Sequence, residues 1–163
     1  MEQKEHIDRV WDIVERVALC MLTTRGPRGL RARPLEARPD RNAKTIWFIT
    51  DVRSSKEEEI AANNEVGLVF IDKDKNIYLS ITGRADKLCD PDTAASVWHA
   101  TDNMWWDGPS DPNVGLLRIT PLNAELWDGP SSKAVIAFEF IKSQITGAKP
   151  HLGENRKTSI GME

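Results

Sequence analysis

Residues 65–88 read E-V-G-L-V-F-I-D-K-D-K-N-I-Y-L-S-I-T-G-R-A-D-K-L. An apolar run over 65–72 meets a polar turn, Asp72-Lys73-Asp74-Lys75-Asn76, and a second run follows at once. Within 76–88, Ile77, Leu79, Ile81 and Gly83 fall on one face and Tyr78, Ser80 and Thr82 on the other. That alternation is the period of a half-buried strand. Strand follows strand here with no helical crossover, and along the chain strands come mainly in runs.

Upstream, Ile7, Val10, Trp11, Val14 and Val17 recur at helical spacing and predict an amphipathic N-terminal helix. Strands are expected over 18–24, 30–38 and 44–50, the first two separated by the turn Arg25-Gly26-Pro27-Arg28-Gly29. Pro34 marks the second strand as an edge or a bulge. A short helix is expected over 55–64. Downstream, Asp90 and Pro91 open a helix that runs to about residue 100. An irregular Trp-rich loop covers 103–113, and strands are expected over 116–120, 124–127 and 134–141. From Ser143 the chain reads as a polar, loosely held tail. Trp106-Asp107-Gly108-Pro109-Ser110 recurs as Trp127-Asp128-Gly129-Pro130-Ser131, which reads as two similar turns. Strands in runs favour an antiparallel barrel or sandwich over a doubly wound parallel sheet.

The 163 residues suit one domain. With 22 basic and 25 acidic residues the net charge is −3, which argues against a general nucleic-acid binder. No apolar stretch approaches the roughly 20 residues that span a bilayer, and the start lacks a signal-peptide layout. A cytoplasmic protein is expected. Cys20, within Val17-Ala18-Leu19-Cys20-Met21-Leu22, reads as a small buried hydrophobe. Cys20 and Cys89 form no C-x-x-C pair, His6, His99 and His151 are scattered, and no metal site is expected.

The stretch Thr50-Asp51-Val52-Arg53-Ser54-Ser55-Lys56 joins the third strand to the short helix. Ser55-x-x-Glu58 and Ser54-x-x-Glu57 each match a capping box, which explains the serines and glutamates but not the basic residues. A helix N-terminus with two hydroxyls and a lysine also suits a phosphate. Arg31 and Arg33 share a face of the second strand, and would approach this junction if the second and third strands pair. The glutamates would then point outward.

The chain resembles the flavin-binding split barrels related to pyridoxamine 5'-phosphate oxidase, in the general stress protein 26 branch. The resemblance rests on Arg33-Pro34-Leu35, Trp47-Phe48-Ile49-Thr50, Ser54-Ser55-Lys56, and the segments 63–70 and 78–85. It continues through Trp105-Trp106, Asp111-Pro112 and Ala124-Glu125-Leu126-Trp127. It implies a mainly β fold, a six-stranded antiparallel Greek-key barrel with flanking helices, over residues 1–142, with 143–163 as the tail. It also implies a homodimer with FMN in a cleft between subunits. By the same resemblance, Arg33 and Lys56 hold the FMN phosphate with help from Ser55 and Ser54. Phe48-Ile49-Thr50 lends backbone contacts to the flavin ring, Arg33-Pro34-Leu35 runs along it, and Tyr78 and Trp106 approach from the partner subunit. For Trp105 and Trp106, filling of a core or an interface is the competing reading.

The oxidase's C-terminal Arg-x-His is missing from residues 145–157, so flavin binding carries over better than pyridoxamine phosphate oxidation. The reading is an FMN-dependent oxidoreductase of an unidentified small substrate, served by a nicotinamide or other donor. The alternatives are a flavin-binding or sensing protein without turnover, or the same barrel holding a deazaflavin or haem. Asp102, His99 and Asp107 lie near the Trp loop but read as surface or capping groups, so no residue is named catalytic.

Overall fold

A computed structural model describes residues 2–128, 133–150 and 154–158. Helix α1 (Glu2–Val17) buries Val10, Trp11, Ile13 and Val14, with Ile7 and Val17 packed at the edge of the same core. Then come β1 (Leu19–Gly26), β2 (Gly29–Glu36), β3 (Arg38–Asp40) and β4 (Thr45–Asp51). Helix α2 (Ser55–Ala62) leads to β5 (Glu65–Asp72) and β6 (Ile77–Leu88). After α3 (Pro91–Ser96) and a 3-10 turn (Ala100–Met104) the chain forms β7 (Val114–Asp128), α4 (Lys133–Thr146) and β8 (Glu154–Thr158).

Every strand pair is antiparallel, in the order β2-β1-β5-β6-β7-β4-β3, with β8 added to β7. The two ends of this order, β2 and β3, are consecutive in the chain and separated by Ala37 alone. One bent segment therefore pairs with β1 on one side and β4 on the other, which closes the barrel. The bend is fixed where Ala37 N–H donates to the Ala18 carbonyl, 2.8 Å. Six long strands make the wall, as the split barrel requires, and β3 and β8 are short additions. The expected single strand over 30–38 breaks at this bend.

The interior is filled by Leu22, Phe48, Leu68, Phe70, Leu79, Ile81, Leu117 and Ile119 among others. Ile77, Leu79, Ile81 and Gly83 face in, as their alternation predicts. Cys20 is buried too, and burial pushes its thiol up to about 12. A second cluster lies outside β4 and β7, where Ile49, Val114 and Leu116 meet Ala94, Trp98 and Trp106. On the outer face of the sheet the row Ile71–Tyr78–Trp127, with Met21 beside Val69, leaves large apolar groups exposed.

The expected strands 116–120 and 124–127 are one strand. Thr82 pairs with Asn123 and Gly83 with Pro121, so Leu122 is an extra residue at a β-bulge. Proline is tolerated at a bulge, and it is what made the sequence read as a break. Gly83 permits the close approach: a Cβ there would lie 2.7 Å from the Thr120 carbonyl oxygen.

The expected strand over 134–141 is instead α4. Its β-branched and aromatic residues suggest a strand, but they form a helix, and the stretch of β7 left open by β4 is taken by β8 instead. The 142/143 boundary falls inside this helix, and 154–158, expected as loose tail, form β8. The helix expected from Asp90 to about 100 stops at Ser96 and resumes as the 3-10 turn. The second Trp-Asp-Gly-Pro-Ser copy begins in β7, and its last three residues lie outside the described residues. No helix among the described residues is long and apolar enough to cross a membrane.

Candidate functional site

The junction between β4 and α2 departs from ordinary capping. Ser54 holds the N-cap position with extended backbone, but its side chain makes no capping bond. Its Oγ is buried and has no hydrogen-bond partner. Buried hydroxyls are normally satisfied, so an orphan at a helix N-terminus marks a place where an acceptor or donor is missing. Thr50 Oγ1, four residues upstream, is buried and unpartnered in the same way. So is Trp106 Nε1, although the indole lies close enough to Asp51 to help hold that carboxyl down.

The basic residues divide between structure and site. Arg53 turns back on Asp51, with Nε–Oδ1 2.8 Å and Nη2–Oδ2 2.6 Å, and its backbone N–H donates to the same carboxylate. Arg53, through these bonds and its charge, keeps the Asp51 carboxyl far below the usual carboxylate range. Lys56 is half-buried in the first turn of α2. Arg31 donates to Ser55 Oγ at 3.0 Å and to Glu59 Oε1 at 2.9 Å. Arg33 donates to Glu59 Oε2 at 2.7 Å and to Thr24 Oγ1 at 2.7 Å.

The arginines reach α2 without the expected pairing of β2 with β4. Strand β2 pairs with β1, and the barrel's curvature brings α2 over β1. The glutamates do not all point outward either. Glu59 is 5% exposed and sits between both guanidinium groups and Thr24. Burial works against its charge but is outweighed by the Thr24 hydroxyl, Arg33 and Arg31, and its carboxyl falls from 4.5 to about 2. Glu59 follows Ser55 by four residues, the spacing that shares a helix face, and that was the available signal.

Phe48 faces the barrel interior and is fully buried, so only its backbone is open to a ligand. Ile49 faces the second cluster beside Trp106, which packs edge-on to Trp98 at 6.3 Å. Pro34 is exposed on β2 and Leu35 packs at the core's edge. Tyr78 is not near the junction in one chain. Asp51 pairs with Val114 at the start of β7, whereas Tyr78 pairs with Trp127 near its end. At about 3.3 Å per residue the two lie roughly 40 Å apart along the strand.

Asp102 and His99 are spent on structure. Asp102 is buried, accepts from Arg38 at 2.9 and 2.8 Å, and caps the 3-10 turn through His99 N–H. His99 Nδ1 lies 3.2 Å from Glu36 Oε1. Asp107 offers its backbone N–H to Asp111. The Arg38–Asp102 pair had no signal in the sequence, since 64 residues separate its members.

Residues 5–151 match the family described as pyridoxamine 5'-phosphate oxidase like. General stress protein 26 of Bacillus subtilis (strain 168) is 26% identical over 87 residues, 52% of this chain. That match spans 62% of the relative's length. A Jannaschia sp. CCS1 structure provisionally designated general stress protein 26 is 27% identical with a TM-score of 0.77, over 97% of this chain and 99% of that one. A general stress FMN/FAD binding protein from Xanthomonas citri is 27% identical with a TM-score of 0.71, over 79% of this chain and 92% of that one.

Proposed function

The chain belongs to the pyridoxamine 5'-phosphate oxidase-like family, among relatives named general stress protein 26, and from that premise we propose that it binds FMN at the β4–α2 junction. The observation that carries the reading is Ser54, an N-cap serine that caps nothing and is buried without a partner. A phosphate oxygen at the start of α2 would satisfy it, beside the Ser55 hydroxyl and the Lys56 ammonium. Arg33 and Arg31 reinforce the positive field from behind, with Glu59 fixing both guanidinium groups in place. The backbone of Phe48-Ile49-Thr50 and the Thr50 hydroxyl would line the ring, and Arg33-Pro34-Leu35 the adjoining wall.

The site is completed by a second copy of the chain. Tyr78 can reach a flavin only from a partner, and the exposed row around it is the apolar face a homodimer would cover. Trp106, expected from the resemblance to approach from the partner, lies instead beside the junction of its own chain, packed with Ile49 and close to Asp51. A bound flavin supplies hydride and electron transfer, and the protein's part is to bind, orient and shield it. With a nicotinamide or other donor and a small acceptor this makes a cytoplasmic oxidoreductase.

One observation favours a second reading, a flavin-binding protein without turnover. Asp102 and His99, two of the three acid–base candidates near the Trp loop, are engaged with Arg38 and Glu36.

The test is the visible spectrum of the purified protein, followed by FMN titration of wild type and of a Lys56→Ala, Arg33→Ala double variant. Saturable binding weakened by roughly tenfold or more per lost charged contact supports the reading. No flavin bands and no binding by wild type would end it. Reduction of bound flavin by a nicotinamide donor then separates enzyme from carrier.

A further inference from the structure

Two hydroxyls near the junction are tied to arginines, and each bond can run in only one direction. Arginine carries donors and no acceptor, so Thr24 Oγ1 accepts from Arg33 at 2.7 Å and Ser55 Oγ accepts from Arg31 at 3.0 Å. Each hydroxyl still has its own proton to give. Thr24 gives it to Glu59 Oε2. Ser55 finds no acceptor for its proton among the described residues.

One carboxylate stands behind both bonds. Glu59 Oε2 accepts from Arg33 at 2.7 Å, and Oε1 accepts from Arg31 Nη1 at 2.9 Å. That same Nη1 reaches Ser55, so its two N–H groups are divided between the carboxylate and the hydroxyl. The Glu59 side chain is 5% exposed and the Arg31 side chain 54% exposed, which makes the carboxylate the anchored end of the link. An arginine this exposed would otherwise populate many rotamers. Ser54, the neighbouring serine, has no such link, and its Oγ has no partner.

We infer that Glu59 is a positioning residue of the phosphate site: through Arg31 it occupies a lone pair of Ser55 and leaves the Ser55 proton to the ligand. This rests on the flavin reading above and deepens it. Glu59 touches no ligand itself. The group favoured at Ser55 is one that only accepts, as the oxygens of an ionised phosphate do, over one that must donate.

The test is a double-variant cycle read with two ligands, FMN and riboflavin, which lacks the phosphate. Each is titrated by fluorescence quenching into wild type, Glu59→Gln, Ser55→Ala and the double variant, with a thermal melt checking the fold of each. A glutamine offers one acceptor oxygen where Glu59 offers two, so it cannot serve Arg31, Arg33 and Thr24 together. Each single variant is expected to weaken FMN about tenfold, and the double variant no more than either alone. Riboflavin affinity stays unchanged throughout. Arg31→Gln, at an exposed position, cuts the same link and is expected to repeat the result should Glu59→Gln fold poorly. An FMN affinity unmoved by Glu59→Gln and Arg31→Gln, additive losses in the double variant, or FMN and riboflavin weakened alike would reduce Glu59 to a structural ion pair. Any of these overturns the assignment and leaves the flavin reading intact. Wild type that binds neither ligand, or binds FMN no tighter than riboflavin, would overturn the phosphate site and this assignment with it.

Discussion

Arg33 donates to Glu59 across 2.7 Å, so the cation expected to meet a phosphate is already held by a buried carboxylate. The pair gives the site a pH signature. Glu59 has a folded value of about 2, below its ordinary 4.5. A depressed carboxyl stabilises the fold above the unfolded value and loses that contribution as pH falls through the folded one. Acid unfolding of wild type is therefore expected to steepen between pH 4.5 and about 2. Glu59→Gln should remove that component in a pH-resolved urea titration. An unchanged pH profile would mean that the carboxylate is not ionised against the arginines.

Ser54 separates capping from ligand binding. Replacing a working N-cap serine by alanine costs about 1 kcal/mol. Since Ser54 makes no such bond, Ser54→Ala should leave the melting temperature nearly unchanged while weakening FMN binding about tenfold or more. Loss of stability with intact FMN affinity would return the junction to ordinary capping.

The Arg38–Asp102 pair ties β3 to the 3-10 turn from inside the protein. Removing Asp102 leaves the buried Arg38 guanidinium with only the half-exposed Glu36 carboxylate at 3.3 Å, at a cost of up to about 3–5 kcal/mol. Asp102→Ala should shift the urea midpoint accordingly. A near-neutral result would show that Glu36 suffices as the partner of Arg38.

Gly83 is required by contact distance. Gly83→Ala would press a methyl group on the Thr120 carbonyl and on Ile119 Cγ2, 2.9 Å away. Overpacking of this kind costs about 1–3 kcal/mol, readable as a lower melting temperature. A melting temperature equal to wild type would mean that the bulge relaxes freely.

The proposed homodimer can be tested at Tyr78. A charge placed within the row Ile71–Tyr78–Trp127 should dissociate the dimer, so Tyr78→Glu is expected to elute and scatter light as a monomer where wild type does not. A wild-type monomer, or an unperturbed dimer, would put the interface elsewhere.

Most of the wall of this barrel could be read from its residues. Alternation in β6 and the apolar runs of β4 and β5 match those strands nearly residue for residue, because β5 and β6 bury one face and β4 buries both. The errors share a physical origin. Propensity at Phe138, Phe140 and Ile141 favours a strand, but the open stretch of β7 pairs with 154–158 and these residues are helical. Proline could not distinguish a bulge from an end, so β7 was divided at Pro121. Ser54, Ser55 and Lys56 stood out as a local pattern, and Arg31 did reach Ser55. Glu59 was missed because its role depends on β1 bringing Arg31 and Arg33 under α2, a relation between distant segments. Tyr78 follows the same logic, since its proposed partner lies in another molecule.

The closure at Ala37 carries a kinetic consequence. Hairpins β1–β2, β3–β4 and β5–β6 can form locally, but β4 pairs with β7 across about 70 residues, as at Ile46 and Ile119. Loop-closure entropy must be overcome before that seam is rewarded. Folding should therefore wait on the β4–β7 seam, at the slow rates of proteins with non-local pairing. The junction at the end of β4 would be among the last parts to form, and a ligand bound there would slow unfolding more than it speeds folding.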